Sequence, residues 1–196
     1  MVRSDARENR DRILEAARQA LDESGDASLN QIAQRANVGP GTLYRHFPSR
    51  EALVLAVYRL DIDRLVSSAS DLLARMSPLE ALRSWTTDLV GYMRIKHGLG
   101  DALSPGAQQS VTEQTYGPVI AAIAQLLDAG KADGSVRADA DPADYLMLTG
   151  SLWRAPEDEG RPQRMLGLVL DGLRAGRVGP GPAVRDDGFQ AAPGNR

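Results

Sequence analysis

Cysteine is absent from the 196-residue chain, and histidine occurs only twice, at His46 and His97. Without cysteine there is no disulfide, no thiolate zinc site and no cysteine nucleophile. Two histidines leave little from which to build a nitrogen-ligand metal site, so we expect no metal and no cofactor. The sequence also lacks a glycine-rich phosphate loop and a paired nucleophile and base, and these absences argue against an enzyme.

Long apolar segments are missing as well. No run approaches the roughly 18 apolar residues that predict a membrane-spanning helix. The N-terminal sequence MVRSDARENR has no apolar core of a signal peptide. Apolar residues make up 42% of the chain, which is typical of a globular protein with a substantial core. We therefore expect a cytoplasmic protein without a membrane partner.

A strongly basic composition is also lacking, because the formal net charge is −3. The charge is nevertheless uneven along the chain. Residues 1–50 carry eight arginines against seven acidic residues, whereas the remainder carries fifteen basic and nineteen acidic residues. Affinity for a polyanion must therefore come from the placement of a few cations rather than from a broad basic field.

Residues 28–50, SLNQIAQRANVGPGTLYRHFPSR, have the pattern of two short helices joined by a tight turn. Ser28 and Gln31 form a predicted capping box, in which each side chain accepts a hydrogen bond from the backbone N–H of the other residue. Four apolar residues then follow at i, i+3, i+4 and i+7: Leu29, Ile32, Ala33 and Ala36. This spacing predicts a helix over residues 29–36 with one buried stripe.

The predicted turn consists of Asn37, Val38 and Gly39. Asparagine and glycine tolerate a left-handed backbone, and Val38 is placed to fill the angle between the two helices. Pro40 suits the first position of the second helix because its missing N–H has no partner there in any helix.

In the second helix, burial of Leu43 and Phe47 at i and i+4 turns the opposite side outward. The residues on that side and its flanks are Gly41, Thr42, Arg45, Tyr44 and His46. Arginine can form paired hydrogen bonds with guanine O6 and N7, threonine can contact a thymine methyl or a phosphate, and glycine allows close approach of the backbone. The pattern favours a helix that enters a DNA groove. A structural three-helix unit with a solvated face would show the same periodicity.

The same segment resembles the DNA-binding domain of the tetracycline-repressor (TetR) family. The resemblance lies in the run L-x-x-I-A-x-x-A-x-V-x-x-G-T-L-Y-x-H-F-x-S-R-E-A-L from Leu29 to Leu53. It implies that Gly41, Thr42 and Arg45 face the bases. It also implies a polar contact from Asn30, in the first helix of the motif. Phosphate contacts are implied for Tyr44, His46 and Arg50. Pro40 stands where many members have a polar or basic residue, so Arg45 becomes the main candidate for base selection.

The remaining sequence is predicted to be helical nearly throughout, giving an all-α fold of about nine helices. Helices are expected over about residues 5–23, 50–75, 78–96, 116–132, 142–153 and 161–176, with a short helix near 101–103 and a kinked start near 111. We predict a three-helix helix-turn-helix domain in residues 1–50, a helical ligand-binding and dimerisation domain in residues 51–176, and a disordered tail in residues 177–196.

The resemblance further implies a small-molecule pocket in the second domain and a homodimer formed by the last two helices of each protomer. Aromatic and adaptable side chains are candidates for the pocket of a largely apolar effector: Trp85, Tyr92, Met93, Tyr116 and Met147. Candidates for the dimer interface are Thr149, Gly150, Trp153, Met165, Leu168, Val169 and Gly172. Ordinary core packing would also explain the pocket candidates. Burial within a single chain would also explain the apolar residues that are candidates for the dimer interface.

These observations predict a ligand-responsive transcriptional regulator, a repressor, that binds an inverted-repeat operator in double-stranded DNA as a homodimer. Two alternatives remain at this level. One is an enzyme with Trp85, Tyr92 and His97 around a cleft, and the other is a helical adaptor that keeps the motif only as a folding unit. Salt-sensitive binding to an inverted repeat separates a regulator from an adaptor.

Overall fold

The computed structural model describes residues 2–23, 27–98, 103–156 and 160–176. These residues form eight α-helices and one 3-10 helix, which confirms the predicted all-α fold. The helices are α1 (Val2–Glu23), α2 (Leu29–Arg35), α3 (Pro40–His46), α4 (Arg50–Leu73), α5 (Pro78–Gly98), α6 (Pro105–Ala132), α7 (Pro142–Thr149), the 3-10 helix (Leu152–Arg154) and α8 (Arg161–Leu173). The tail predicted for residues 177–196 lies outside the described residues.

Serine residues cap α4 and α5, which begin at residues 50 and 78 as the sequence predicted. The Ser49 hydroxyl accepts a hydrogen bond from Ala52 N at 3.1 Å at the start of α4. Before α5, the Glu80 carboxylate accepts from Ser77 N at 3.1 Å and from Ser77 Oγ at 2.6 Å. These caps satisfy N–H groups that a helix leaves unpaired in its first turn.

Buried side chains form two hydrophobic clusters. The first cluster contains the apolar faces of α1, α2 and α3, together with Leu53, Val54 and Val57 from the start of α4. The second cluster occupies the remaining helices and includes Tyr58 and Ile62, the next inward residues of α4. Helix α4 therefore contributes consecutive turns to both clusters and joins the two parts of the molecule.

Two buried hydrogen bonds fix the packing inside the second cluster. The Trp85 indole Nε1–H donates to Leu65 O at 2.7 Å, and this contact ties α5 to α4. The hydroxyls of Thr86 and Tyr145 lie 2.6 Å apart and join α5 to α7. Because burial disfavours the phenolate, the pKa of Tyr145 is raised to about 12.

One predicted boundary was wrong in each of three helices: the start of α6, the end of α7 and the end of α8. In place of a kinked start near residue 111, a continuous α6 runs through Val111 from Pro105, and Leu103 lies in a bend, with residues 101 and 102 outside the described ranges. Helix α7 ends at Thr149, where Gly150 N still donates the last helical hydrogen bond to Leu146 O at 2.7 Å, and a separate 3-10 turn follows.

Helix α8 ends earlier than predicted, at Leu173 rather than near residue 176. The Leu173 carbonyl accepts a hydrogen bond from Arg137 N at 2.8 Å, and Ala175 N donates to Ser135 O at 3.2 Å. Val136 and Arg174 thereby form an isolated antiparallel bridge. The connection between α6 and α7 thus pairs with the end of α8 and draws the chain out of the helix.

Candidate functional site

Helices α2 and α3 form the predicted helix-turn-helix. The capping box is complete, with Ser28 N donating to Gln31 Oε1 at 2.8 Å and Gln31 N donating to Ser28 Oγ at 3.3 Å. Asn37 adopts the left-handed backbone expected for the turn, with φ 52°. Gly39 does not, because at φ −67° it serves as the extended N-cap of α3, directly before Pro40.

Burial orients α3 as the sequence predicted. Leu43 is 0% exposed and Phe47 is 3% exposed, so both point into the first cluster. The guanidinium of Arg10 from α1 lies 5.5 Å above the Phe47 ring, which adds a contact at the end of α3. With these two side chains fixed, the opposite side of α3 must face away from the protein.

The candidate DNA-contacting residues lie on this outer side. Arg45 and Gly41 are exposed, and Tyr44 is 48% exposed, while Thr42 and His46 are half-buried at the flanks. A Cβ atom added at Gly41 would meet nothing within 4 Å, so no internal contact requires glycine at this position. The surface is therefore open to an approaching duplex. Whether these side chains contact DNA stays a prediction.

Two further candidates lie outside α3. Asn30 is exposed on α2. Arg50, in the first residue of α4, donates from Nη1 to the backbone carbonyl of Ala27. Arg50 therefore ties the segment before α2 to the start of α4, a structural role that sequence reasoning did not reveal.

A cavity of about 160 Å³ lies within the second cluster. Its walls come from α4, α5, α6, α7 and the residue after α7. The lining residues are Tyr58, Ile62, Leu89, Tyr92, Met93, Thr112, Thr115, Tyr116, Val119, Leu146 and Gly150. None of these residues carries a charge at neutral pH. The cavity is suited to a small, largely apolar molecule.

Two tyrosines give one wall of this cavity its chemistry. The rings of Tyr58 and Tyr92 are 4.7 Å apart between centroids, and Tyr92 OH donates to Tyr58 O at 3.4 Å. Burial raises the pKa of Tyr58 to about 12 and raises the pKa of Tyr92 further. Both phenols are therefore neutral at physiological pH and can offer hydrogen bonds without a charge.

The structure places three of the five predicted pocket residues at the cavity, namely Tyr92, Met93 and Tyr116. Trp85 does not line the cavity, because its side chain is 0% exposed in the core and its indole N–H donates to Leu65 O. The placement of Met147 in the domain interior was wrong, since this side chain is 80% exposed.

The reason for the Met147 error is the rotation of α7. Tyr145 and Thr149, at i and i+4, are both buried, so Met147 at i+2 must lie on the opposite side. Sequence reasoning also missed the α4 wall of the cavity at Tyr58 and Ile62. A signal for the α6 wall was present in the spacing of three hydroxyl-bearing residues at i, i+3 and i+4, which are Thr112, Thr115 and Tyr116.

An exposed apolar surface covers α7 and α8 on the outside of the protomer. Its large side chains are Met147, Leu148 and Leu168, which are 80%, 60% and 75% exposed. Among the predicted interface residues, Gly172 is exposed beside this surface, while Val169 and Met165 are half-buried against the second cluster. We call Met147, Leu148 and Leu168, with Val169 and Gly172, the α7–α8 face.

Three other predicted interface residues face the protomer instead. Thr149 is buried, and its hydroxyl donates to Tyr145 O at 2.8 Å, so its assignment to an exposed seam was wrong. Gly150 borders the cavity. Trp153 packs half-buried on the second cluster, with the Arg154 guanidinium 4.9 Å from its ring.

Within the described residues, no helix is long and apolar enough to cross a membrane. In the same part of the chain, no group of three or more histidine, aspartate or glutamate side chains could hold a metal ion.

Comparison with known proteins agrees with this architecture. The family described as "Bacterial regulatory proteins, tetR family" matches residues 13–57, and "Transcriptional regulator SbtR-like, C-terminal domain" matches residues 77–175. An HTH-type transcriptional regulator from Staphylococcus aureus is 43% identical over 68 residues, which is 34% of this chain and only 37% of that relative.

Solved structures resemble nearly the whole described chain. A TetR transcriptional regulator from Streptomyces coelicolor is 38% identical with a TM-score of 0.73, covering 85% of this chain and 99% of its own. A TetR transcription regulatory protein from Mycobacterium vanbaalenii is 35% identical with a TM-score of 0.71, covering 89% and 100% of the two chains. The helix-turn-helix geometry, the following helical domain and these relatives together show that the chain is not an enzyme but a DNA-binding member of the TetR family of transcriptional regulators.

Proposed function

We propose that the protein is a ligand-responsive repressor that binds an inverted-repeat operator as a homodimer. The observation that carries the DNA-binding part is the orientation of α3, in which buried Leu43 and Phe47 leave Arg45 exposed beside an unobstructed Gly41. We assign direct base contacts to Gly41, Thr42 and Arg45. Asn30, Tyr44, His46 and Arg50 complete the surface as polar and phosphate contacts.

Two copies of the chain are required because one short recognition helix contacts too few base pairs for selective binding. The α7–α8 face offers the surface for this pairing, since large side chains such as Met147 and Leu168 are 80% and 75% exposed in the protomer. A two-fold axis through this face would place the same patch of each copy against the other. The operator then mirrors the two-fold symmetry of the dimer.

The effector is a small, largely apolar molecule that occupies the cavity beside Tyr58 and Tyr92. The uncharged lining supports this chemical class, and the cavity volume of about 160 Å³ limits its size. We divide the chain functionally into a DNA-binding domain in residues 1–50, a ligand-binding and dimerisation domain in residues 51–176, and a tail in residues 177–196. As a regulator of transcription it acts in the cytoplasm, where bacterial DNA lies.

Selection from a random duplex library with the purified full chain tests this proposal. The expected result is an inverted repeat whose half-site centres lie about one helical turn, or a multiple of it, apart. Binding to that repeat should weaken steeply as salt rises, because phosphate contacts release counterions. Enrichment of no sequence, or of single half-sites only, would contradict the proposal and favour the adaptor function.

A further inference from the structure

A polar cleft lies where α1, α4 and α5 meet, and it is separate from the apolar cavity. Its volume is about 440 Å³. The charged and hydroxyl-bearing residues that line it are Arg18 from α1, Asp61, Arg64 and Ser68 from α4, and Thr87 and Asp88 from α5. Four of these six side chains carry a formal charge, whereas the lining of the apolar cavity carries none. The cleft is therefore suited to a different class of molecule from the cavity.

The two arginines of the cleft already face carboxylates of the protein. Arg18 Nη2 and Arg64 Nη2 each lie 3.3 Å from an oxygen of Glu15, on α1. Arg64 Nη1 lies 3.9 Å from Asp61 Oδ1. A ligand anion would have to compete with these carboxylates for both guanidinium groups, so the cleft is poorly suited to an anion.

The Asp88 carboxylate differs from the other charged groups. Within the described part of the chain, it has no hydrogen-bond or ion-pair partner. Partial burial raises the pKa of this carboxyl, and no neighbouring cation opposes the shift. The cleft therefore holds one acidic group that the protein partly desolvates without supplying an opposite charge.

The hydroxyl groups of the cleft present further acceptors. Thr87 Oγ1 donates to Arg83 O at 2.9 Å, and Ser68 Oγ donates to Leu65 O at 2.8 Å. A hydroxyl has one hydrogen and two lone pairs, so toward a molecule in the cleft both groups can act only as acceptors. Gly91 leaves open space beside them, because a Cβ atom there would meet nothing within 4 Å. This arrangement suits a cation that donates several hydrogen bonds.

We propose that the cleft is a second small-molecule site, which binds a small organic cation through a primary ammonium group at Asp88. An ammonium group has three N–H donors and no acceptor, so it matches a carboxylate flanked by hydroxyl lone pairs. Leu65 and Tyr92 also line the cleft and offer apolar surface to the alkyl part of the cation. The site requires neither an effector in the apolar cavity nor the DNA contacts of α3.

Three probes with the same four-carbon chain test the charge of the ligand: the cation butylammonium, the neutral 1-butanol and the anion butyrate. Each is titrated into the full chain labelled with nitrogen-15, at constant ionic strength, and amide chemical shifts locate the binding site. Butylammonium should shift the amides around Ser68 and Gly91, and the other two probes should not. The absence of these shifts would overturn the proposal, and so would butylammonium shifts confined to the apolar cavity around Thr115.

Asp88→Asn should raise the butylammonium dissociation constant by about tenfold or more, the change that corresponds to the loss of a hydrogen bond to a charged group. Gly91→Leu should abolish binding, because the new side chain occupies the open space of the cleft. Thermal unfolding checks that both variants fold.

Asp63→Asn is the matched control, because it removes the same charge from an exposed position of α4 that does not line the cleft. It should change the dissociation constant by less than about twofold, since salt screens a distant surface charge. Equal losses in Asp63→Asn and Asp88→Asn would indicate only a general attraction of the cation to an acidic protein. That result, or an unchanged dissociation constant in Asp88→Asn, would overturn the proposal.

Discussion

Leu168→Glu is the sharpest test of the proposed assembly. Leu168 is 75% exposed in the protomer, so its replacement removes little packing within one chain. Full burial of a leucine side chain contributes about 1.5–3 kcal/mol. Because three quarters of the Leu168 side chain is still exposed in the protomer, a partner that covers it would gain roughly 1–2 kcal/mol of binding free energy per protomer. Two symmetry-related copies double this contribution to about 2–4 kcal/mol per dimer. The dimer dissociation constant should therefore rise by about 30- to 700-fold, and burial of an unpaired carboxylate adds to the loss.

Sedimentation velocity over a range of protein concentrations measures this change, and thermal unfolding checks the protomer. Ala121→Glu is the matched control, because it adds the same charge at another exposed apolar position, on α6. The control should remain as dimeric as the parent. Val169 is less informative, since it also packs on the second cluster. A Leu168→Glu variant that dimerises like the parent would show that the α7–α8 face is not the interface.

Three further substitutions and one pH dependence follow from the geometry. Arg45→Ala should reduce the free energy of DNA binding by about 1–3 kcal/mol and relax selection at one base pair per half-site. Arg50→Ala should instead weaken binding to all DNA sequences alike. Equal and uniform losses for both variants in library selection would contradict the assignment. Gly41→Ala should leave folding unchanged or stabilise α3 by about 0.5–1 kcal/mol, because a Cβ there meets nothing within 4 Å. The same methyl group should weaken DNA binding, because glycine allows the backbone to approach the duplex closely. Unfolding titrations measure the first effect and gel-shift titrations the second. The pKa values of Tyr58 and Tyr145 are raised to about 12 from 10, so their contribution to stability is complete below pH 10 and is lost as pH rises through 12. Alkaline unfolding followed by tyrosinate absorbance should show this loss, and titration of both phenols near pH 10 in the folded chain would refute it.

The helix-turn-helix was predictable from the sequence because its determinants are local. The capping box of Ser28 and Gln31, the left-handed turn at Asn37 and the inward pair Leu43 and Phe47 each depend on residues at most four positions apart. Periodicity then fixes which side of α3 faces outward. The same reasoning identified the helical character of the second domain and most helix starts.

The second domain was less predictable because its details depend on distant neighbours. Helix α7 has only eight residues and is apolar on several sides, so its pattern could not decide that Tyr145 and Thr149 turn inward while Met147 turns outward. The sequence likewise marked Trp85 as buried but could not tell a residue beside a cavity from one inside solid packing. The contact between Arg50 and Ala27 joins positions that are 23 residues apart, beyond any local pattern.

The bridge between Val136 and Arg174 has a consequence for the order in which the molecule opens. Because Arg137 N bonds to Leu173 O, main-chain hydrogen bonds close a loop that contains α7, the 3-10 helix and α8. A Cβ at Gly130 would lie 2.4 Å from Val136 Cγ2, so glycine there is what allows this closure. Because the loop is closed at its base, we expect the enclosed helices to open together as one unit rather than one by one. The surface that we assign to the second copy lies on the helices of this loop, so pairing of two copies would in turn favour the closed loop.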